Sequence, residues 1–246
     1  EFARRANAKL AGKAKVVVFG SSQLGGDKEM LQKLKLGTID MALPSTVMSS
    51  EVDTFGVFEM PYLVKDRAHM ARIEKDVFWS KLAPEAEKKG LKVIGVWENG
   101  YRHITNSKRP INSPADLQGI KLRVPEGKWR VKMFQTYGAN PSPMKFSEVF
   151  TALQTGVMDG QENPYSVILS NKFFEVQKFL SSTNHVYATN IILVSKKFWD
   201  KLSPAEQKIL QDAAVEARDY QRTVSRAAAQ KSLADLKAKG MQINEL

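Results

Sequence analysis

The sequence predicts an α/β protein built in two parts, and three observations carry that prediction. From Lys15 to Trp97, short β-branched runs alternate with stretches of helical period. An Asn99-Gly100 turn signal is followed by a second extended piece starting at Arg102, which reads as a crossing out of the first part. Val186–Ser195 is a single apolar extended run, long enough to pass from one part back to the other. With 246 residues and 43% hydrophobic content, the chain can bury a substantial core as one large domain or two small ones.

The elements follow in order. Residues 1–11, rich in Ala and Arg, read as a helix ended by Gly12. Lys15–Phe19 is short, continuous and β-branched, the mark of a buried strand. Gly20–Asp27 is a glycine loop feeding a helix over about 27–36. It lacks the Lys and Ser/Thr that a phosphate-binding loop needs after its second glycine, so Asp27 is assigned to capping that helix. Gly37 stops the helix, and Thr38–Leu43 is a second strand whose end presents Ser45 and Thr46. Strand, helix, strand predicts a parallel pair with a right-handed crossover. Phe55–Tyr62 is apolar and contains Pro61; it reads as core, with cover over a cleft as the alternative. Helices follow at 66–76 and 77–89, broken near Val77, and Leu91–Trp97 is the third strand.

Beyond the crossing, Ser113 caps a short helical turn with Pro114 at its first position. Lys121–Val124 alternates at period two and closes at Pro125, which puts Lys121 and Arg123 on one face of a strand. Helices at 128–137 and 145–155 end at Gly138 and Gly156. Val157–Gly160 leads to Asn163, and Pro164 opens a helix over 164–177. Ser203-Pro204-Ala205-Glu206 is a capping box. Small or apolar residues at 209, 210, 213, 214, 217, 220 and 224 give the helix behind it one buried face, and it runs to Lys239. Met241–Leu246 reads as the start of another strand. Both ends of the chain read as processed or truncated, the first inside a helix and the last at that strand.

Composition excludes several classes. No apolar run approaches the roughly eighteen residues of a membrane span. Cysteine is absent, which removes thiol catalysis, disulfides and Cys-type metal sites and suits an oxidising compartment. The net charge of +11 favours anionic partners. Its Lys and Arg residues are scattered in ones and twos, without the basic block and interleaved aromatics of a nucleic-acid module. His69, His103 and His185 have no metal-ligand spacing, and no Gly-x-Ser-x-Gly elbow is present. Asp159 and Glu162, near a turn, read as caps or solvated groups, and His185 as structural. What remains is a set of fixed binding groups without a catalytic set: Arg102, Arg123, Asn163 and the Ser45 and Thr46 hydroxyls. Arg123 taken alone reads equally as a surface charge; at a strand end, its fork suits a carboxylate. Two rival classes remain, an α/β enzyme acting on an organic acid and a basic nucleic-acid binder, and neither accounts for the pattern of residues 119–164.

Five stretches carry a family resemblance: Ser22-Gln23-Leu24-Gly25, Gly37-Thr38-Ile39-Asp40, Asn99-Gly100-Tyr101-Arg102, Asp116 through Val124, and Asp159-Gly160-Gln161-Glu162-Asn163-Pro164. Together they resemble the substrate-binding proteins of TRAP transporters, of the DctP type. The resemblance implies a periplasmic α/β protein of two lobes that close like a hinge on a ligand and deliver it to a membrane permease. It implies no enzyme activity, cofactor or metal. By the same resemblance, Arg123 clamps a ligand carboxylate, while Arg102, Asn163 and Phe146 face the cleft and the Phe58-Glu59 region contacts the rest of the ligand. The expected division is 1–101 with about 190–225 in one lobe and 102–189 with about 226–246 in the other. Members of that family usually begin with a strand ahead of the opening helix and carry further C-terminal helices. The expected ligand is a small organic acid, a sugar acid or C4-dicarboxylate; the polar Ser45, Thr46, Glu59 and Asn163 tilt the choice towards a hydroxylated acid.

Overall fold

A computed structural model describes residues 1–246. Two sheets organise it. The first has three strands in the order β1 (Met41–Ala42), β8 (Tyr187–Ser195), β2 (Leu91–Tyr101), all antiparallel neighbours. The second has six, in the order β5 (Asn140–Pro143), β4 (Lys121–Val124), β6 (Gly160–Asn163), β3 (His103–Asn106), β7 (Phe179–Ser182), β9 (Gln242–Glu245). β4 runs parallel to both β5 and β6, and β7 runs parallel to β9. The chain passes between the sheets where expected: β2 lies in the first and β3 in the second, with only Arg102 between them. It returns through Thr183–Val186 from β7 to β8.

Each sheet is covered on both faces, because its strands alternate apolar residues between two cores. In β8, Ile191 and Leu193 enter one cluster with Leu31, Leu34, Phe55 and Phe78, while Ile192 and Val194 enter another with Ala6, Leu10, Leu210 and Ala213. The second sheet divides likewise, with Leu122, Val124 and Phe134 on one side and Leu153, Phe173 and Leu180 on the other. The long helix Pro204–Ala238 joins the two halves. Its start contributes Leu210, Ala213 and Ala214 to the first sheet's outer core, and Leu236 near its end packs in the second sheet's. Gln221 locks it to β2, donating to the Glu98 carbonyl at 2.7 Å and accepting from the Glu98 amide at 3.1 Å. The Ser203 capping box starts it as expected, Glu206 accepting from the Ser203 amide at 2.8 Å.

Several expected elements differ. Lys15–Phe19 is not a strand: no strand pairs with it, Val16 bonds instead to the Asn7 side chain, and Val17, Val18 and Phe19 are exposed. Thr38–Leu43 shrinks to β1, antiparallel to β8, so the expected parallel pair is absent. Asn99-Gly100 is not a turn but a bulge that keeps β2 running to Tyr101, with Gly100 at φ 123°. No break occurs near Val77; Arg67–Ile73 continues through a π-helical stretch, Glu74–Leu82, into Ala83–Lys88. The helix expected over 145–155 starts with a 3-10 turn, Phe146–Glu148, ahead of Val149–Gln154. Pro164 is the cap rather than the first residue of its helix, which spans only Tyr165–Ser170. β6 begins at Gly160, where Val157–Gly160 was expected, and β5 and β7 are additional strands. No helix is long and apolar enough to cross a membrane.

Candidate functional site

The predicted residues fall into two groups, one in each half. On the second sheet, β4 carries Arg123 opposite Gln161 of β6, so the pleat puts Arg123, Gln161 and Asn163 on one face. Lys121, two residues before Arg123, stays exposed and bonds the Gly156 carbonyl at 2.9 Å. Arg123 is 3% exposed. Its Nε and Nη2 donate to the Met144 carbonyl at 3.0 and 2.6 Å, and its guanidinium carbon lies 5.8 Å from the Phe146 ring centroid. No carboxylate pairs with it. Burial, together with the Arg102 charge, pulls its pKa down to about 10, which still leaves it charged at neutral pH. Asn163 donates to Gln161 at 2.6 Å, the end of an amide and hydroxyl chain through Thr105 and Gln177.

On the first sheet, Ser45, Thr46, Phe58 and Glu59 come together and line a slot with Ala188 and Thr189. The slot is about 10 Å³, room for one water at most. Phe58 is chiefly core, its ring 6.5 Å from Phe55 and 6.3 Å from Phe78, and it also lines the slot. The larger opening, about 1210 Å³, lies further out and is walled by Lys28, Ser49 and Asp53 from one half and Glu126, Trp129 and Lys132 from the other.

Between the two groups lies a buried ion cluster. Glu162, fully buried on β6, receives Arg102 Nε at 2.5 Å and Nη2 at 3.0 Å, Arg130 Nη1 at 2.7 Å and His185 Nε2 at 3.0 Å. Burial alone would raise its carboxyl, but Arg102, Arg130 and the His185 bond hold it well below the usual range. Burial pulls the His185 pKa down, against the Glu162 bond; its Nε2 lies 3.0 Å from the Glu162 carboxylate and its Nδ1 2.7 Å from the Thr183 hydroxyl. Arg130, from the helix Lys128–Thr136, also reaches Glu59 of the other half at 2.7 Å. Burial raises the Glu59 carboxyl despite this partner.

These contacts correct the readings of Glu162, Asp27 and Asp159, and show what holds Arg102 and Glu59. Arg102 is not an open cation, since two of its nitrogens are committed to Glu162. Glu59 is likewise taken, by Arg130. Glu162 is neither a cap nor solvated; the signal that could have revealed it is the all-polar strand Gly160-Gln161-Glu162-Asn163, every residue of which is buried. Asp27 does not cap its helix: Gly26 is the cap, and the Asp27 carboxyl has no hydrogen-bond partner. Burial raises its pKa, and the Arg123 charge offsets part of that rise. Sequence reading also missed Arg130, which resembles any other helical arginine. Asp159 is neither a helix cap nor solvated: it is buried and accepts from the Lys121 amide, at the start of β4, at 2.9 Å.

An α/β chain of two halves, joined by crossing strands and enclosing one unpaired arginine, has the form of a binding protein that closes on a small anion. Comparison with known proteins agrees. The family model for bacterial extracellular solute-binding protein, family 7 (DctP) matches residues 1–246, and the chain belongs to that family. It is 39% identical to the 2,3-diketo-L-gulonate-binding periplasmic protein YiaO of Escherichia coli, over 94% of this chain and 71% of that one. It superposes with a TM-score of 0.96 on the sugar acid binding protein DctPAm of Advenella mimigardefordensis in complex with galactonate, at 38% identity, covering 99% of this chain and 79% of that one. A TRAP periplasmic solute-binding protein of Sulfurospirillum deleyianum with bound succinate gives a TM-score of 0.94 at 33% identity, covering 100% and 81%. These relatives are solute-binding proteins, and their ligands are small organic acids.

Proposed function

We propose that this chain is the periplasmic solute-binding component of a TRAP transporter. In this reading it captures a small organic acid, of sugar-acid or C4-dicarboxylate type, by a salt bridge from Arg123 to the ligand carboxylate, and delivers it to the membrane permease. The lobes divide as 1–101 with about 190–225 and 102–189 with about 226–246. Phe146 and Asn163 flank the carboxylate, while Ser45, Thr46 and the edge of Phe58 wall the far side. Arg102 and Glu59 act one layer back, by holding the ion cluster. No nucleic acid is proposed as a partner.

The observation that carries this reading is Arg123 itself, buried, charged and bonded only to a neutral carbonyl. A buried cation is costly without a counter-ion, and its remaining donor is free to meet one. A planar guanidinium also matches a carboxylate in both geometry and charge. Glu59–Arg130 and Asp53–Lys128 both bridge the two halves, as they would in a closed binding protein.

Calorimetry of the purified chain against a panel of organic acids tests this. A ligand at a hundred times its dissociation constant stabilises by about 2.7 kcal/mol, which a melt also detects. Arg123→Ala is expected to weaken binding by roughly 2–5 kcal/mol. An affinity within threefold of the parent's would remove Arg123 from the role, and binding to arbitrary DNA with a steep salt dependence would overturn the reading.

A further inference from the structure

One end of the six-stranded sheet gathers positive charge that the ligand reading does not use. β4, β6, β7 and β9 all start at that end and β3 finishes there. The register fixes this: Asn106 lies opposite both Gly160 and Phe179, Phe179 beside Gln242, and Leu122 beside Gly160. At or just beyond these strand ends stand Lys108, Arg109, Lys121, Lys178 and Lys239, all exposed. Lys172, also exposed, precedes the 3-10 turn Phe173–Glu175, whose Phe174 ring lies 4.6 Å from the Lys239 ammonium. Neighbouring strands are about 4.8 Å apart, so the five strand ends spread these charges along roughly 20 Å.

Their counter-charges are few. Asp159 is buried and lies 3.4 Å from Lys108. Asp116 accepts from the Asn112 and Ser113 amides, and Glu175 is exposed among the cations. Elsewhere exposed lysines sit on carboxylates, as in Lys35–Glu51, Lys88–Glu85, Lys196–Asp200 and Lys208–Asp212. At this rim Lys121 meets only the Gly156 carbonyl, and Lys178 and Lys239 lie over the rings of Phe179 and Phe174. Val157, 55% exposed, adds an apolar side chain next to the glycine that Lys121 holds.

We propose that this rim is a peripheral docking face for an anionic lipid bilayer. The kind of cation decides the occupant. Five of the six are lysines, compact charges on flexible stems that suit a diffuse field of headgroups. The one rigid fork, on Arg109, is spent on the Asp116 and Gln118 carbonyls at 2.9 and 2.6 Å, so it is not offered to the carboxylates of a protein partner. Phe179 is buried and Phe174 half-buried, so neither ring is an open platform for a nucleic-acid base. β4 and β6 run away from the rim towards Arg123 and Asn163, so docking here leaves the ligand groups uncovered.

The test is sedimentation of the protein with vesicles of phosphatidylcholine alone and with about 30 mol% phosphatidylglycerol added, at about 0.05 M and 0.5 M salt. The parent should bind the anionic vesicles at low salt, release them at high salt and leave the neutral ones unbound. A triple variant, Lys172→Gln, Lys178→Gln and Lys239→Gln, should bind about a hundredfold more weakly, at about fivefold per lysine near the surface. A second triple, Lys75→Gln, Lys81→Gln and Lys89→Gln, removes the same charge from exposed sites on the other half and should lose less than about threefold. A melt confirms that both are folded. Equal losses in the two triples overturn the proposal, because net charge and not this rim would then drive binding. No binding of the parent to anionic vesicles, or equal binding to neutral ones, also overturns it. So does tighter binding to random duplex DNA or to polyglutamate than to the vesicles at the same salt.

Discussion

Two arginines of this protein, twenty-one positions apart and both nearly sealed from solvent, are treated in opposite ways. Arg102 grips Glu162 through two nitrogens, within a cluster that also holds Arg130, Glu59 and His185. Arg123 has only a backbone carbonyl and an aromatic ring. The first arrangement is complete, and removing a member leaves a buried charge uncompensated. The second is incomplete, and in the proposed reading a ligand completes it. The contrast sets arginines bound into an ion cluster against one proposed to meet an anion, although both are the same amino acid at similar burial.

The sharpest way to break this contrast is Glu162→Gln. It strands Arg102 and Arg130 together, and breaking a buried ion pair costs roughly 3–5 kcal/mol. For a chain of this size the melting temperature should fall by about 10 °C. A fall of a degree or two would mean that the cluster does little for stability. Arg123→Ala supplies the opposite arm: it removes a buried charge that has no partner, so its melt without ligand should stay within about 1 kcal/mol of the parent's, even as binding is lost. Equal destabilisation by the two substitutions would erase the distinction.

A weaker effect is read through pH. His103 is buried on β3 and stacked on Tyr165 with ring centroids 3.7 Å apart. Burial, then the nearby His185 and Arg102, pulls its pKa down to about 3. The folded value lies below the unfolded value near 6.5, so the folded state resists the proton. The neutral ring's contribution is therefore complete above about pH 6.5 and is lost as pH falls towards 3, at up to about 1.4 kcal/mol per unit. Urea denaturation of His103→Gln at pH 7.5, 6 and 5 should give a flatter dependence than the parent, with His185 supplying part of the remaining slope. Parallel slopes for the two chains would contradict a neutral, buried His103.

The smallest expected effect sits at the cleft mouth. Asp53 meets Lys128 at 2.7 Å and accepts from Trp129 Nε1 at 3.2 Å, but its ion pair is open to solvent. Asp53→Asn should lower the melting temperature by no more than about a degree or two, and lose that effect at high salt. A larger loss would place this outer contact with the buried cluster rather than with the surface.

Local chemistry made much of this protein legible. The Ser203 capping box and the apolar face behind it gave the long helix, because capping and helical period are properties of neighbouring residues. The alternation of Lys121–Val124 and the apolar run of Val186–Ser195 gave two strands for the same reason, and Arg123 at the end of the first was marked as an anion binder. The short Lys121-Leu122-Arg123-Val124 pattern said nothing about burial, yet Lys121 is exposed and Arg123 is not. Lys15–Phe19 had every local mark of a strand and is none, since a strand needs a partner and no partner lies alongside it. The tertiary structure alone decided which charges meet. Glu162 read as a cap or a solvated carboxylate and Arg130 drew no reading, until the crossing strands brought β6, the 128–136 helix and Glu59 to one point. Asp27 read as a helix cap, but Gly26 holds that position. Such pairings join residues as far apart in the chain as Glu59 and Arg130. Their signs and distances come from packing, and no local pattern encodes them.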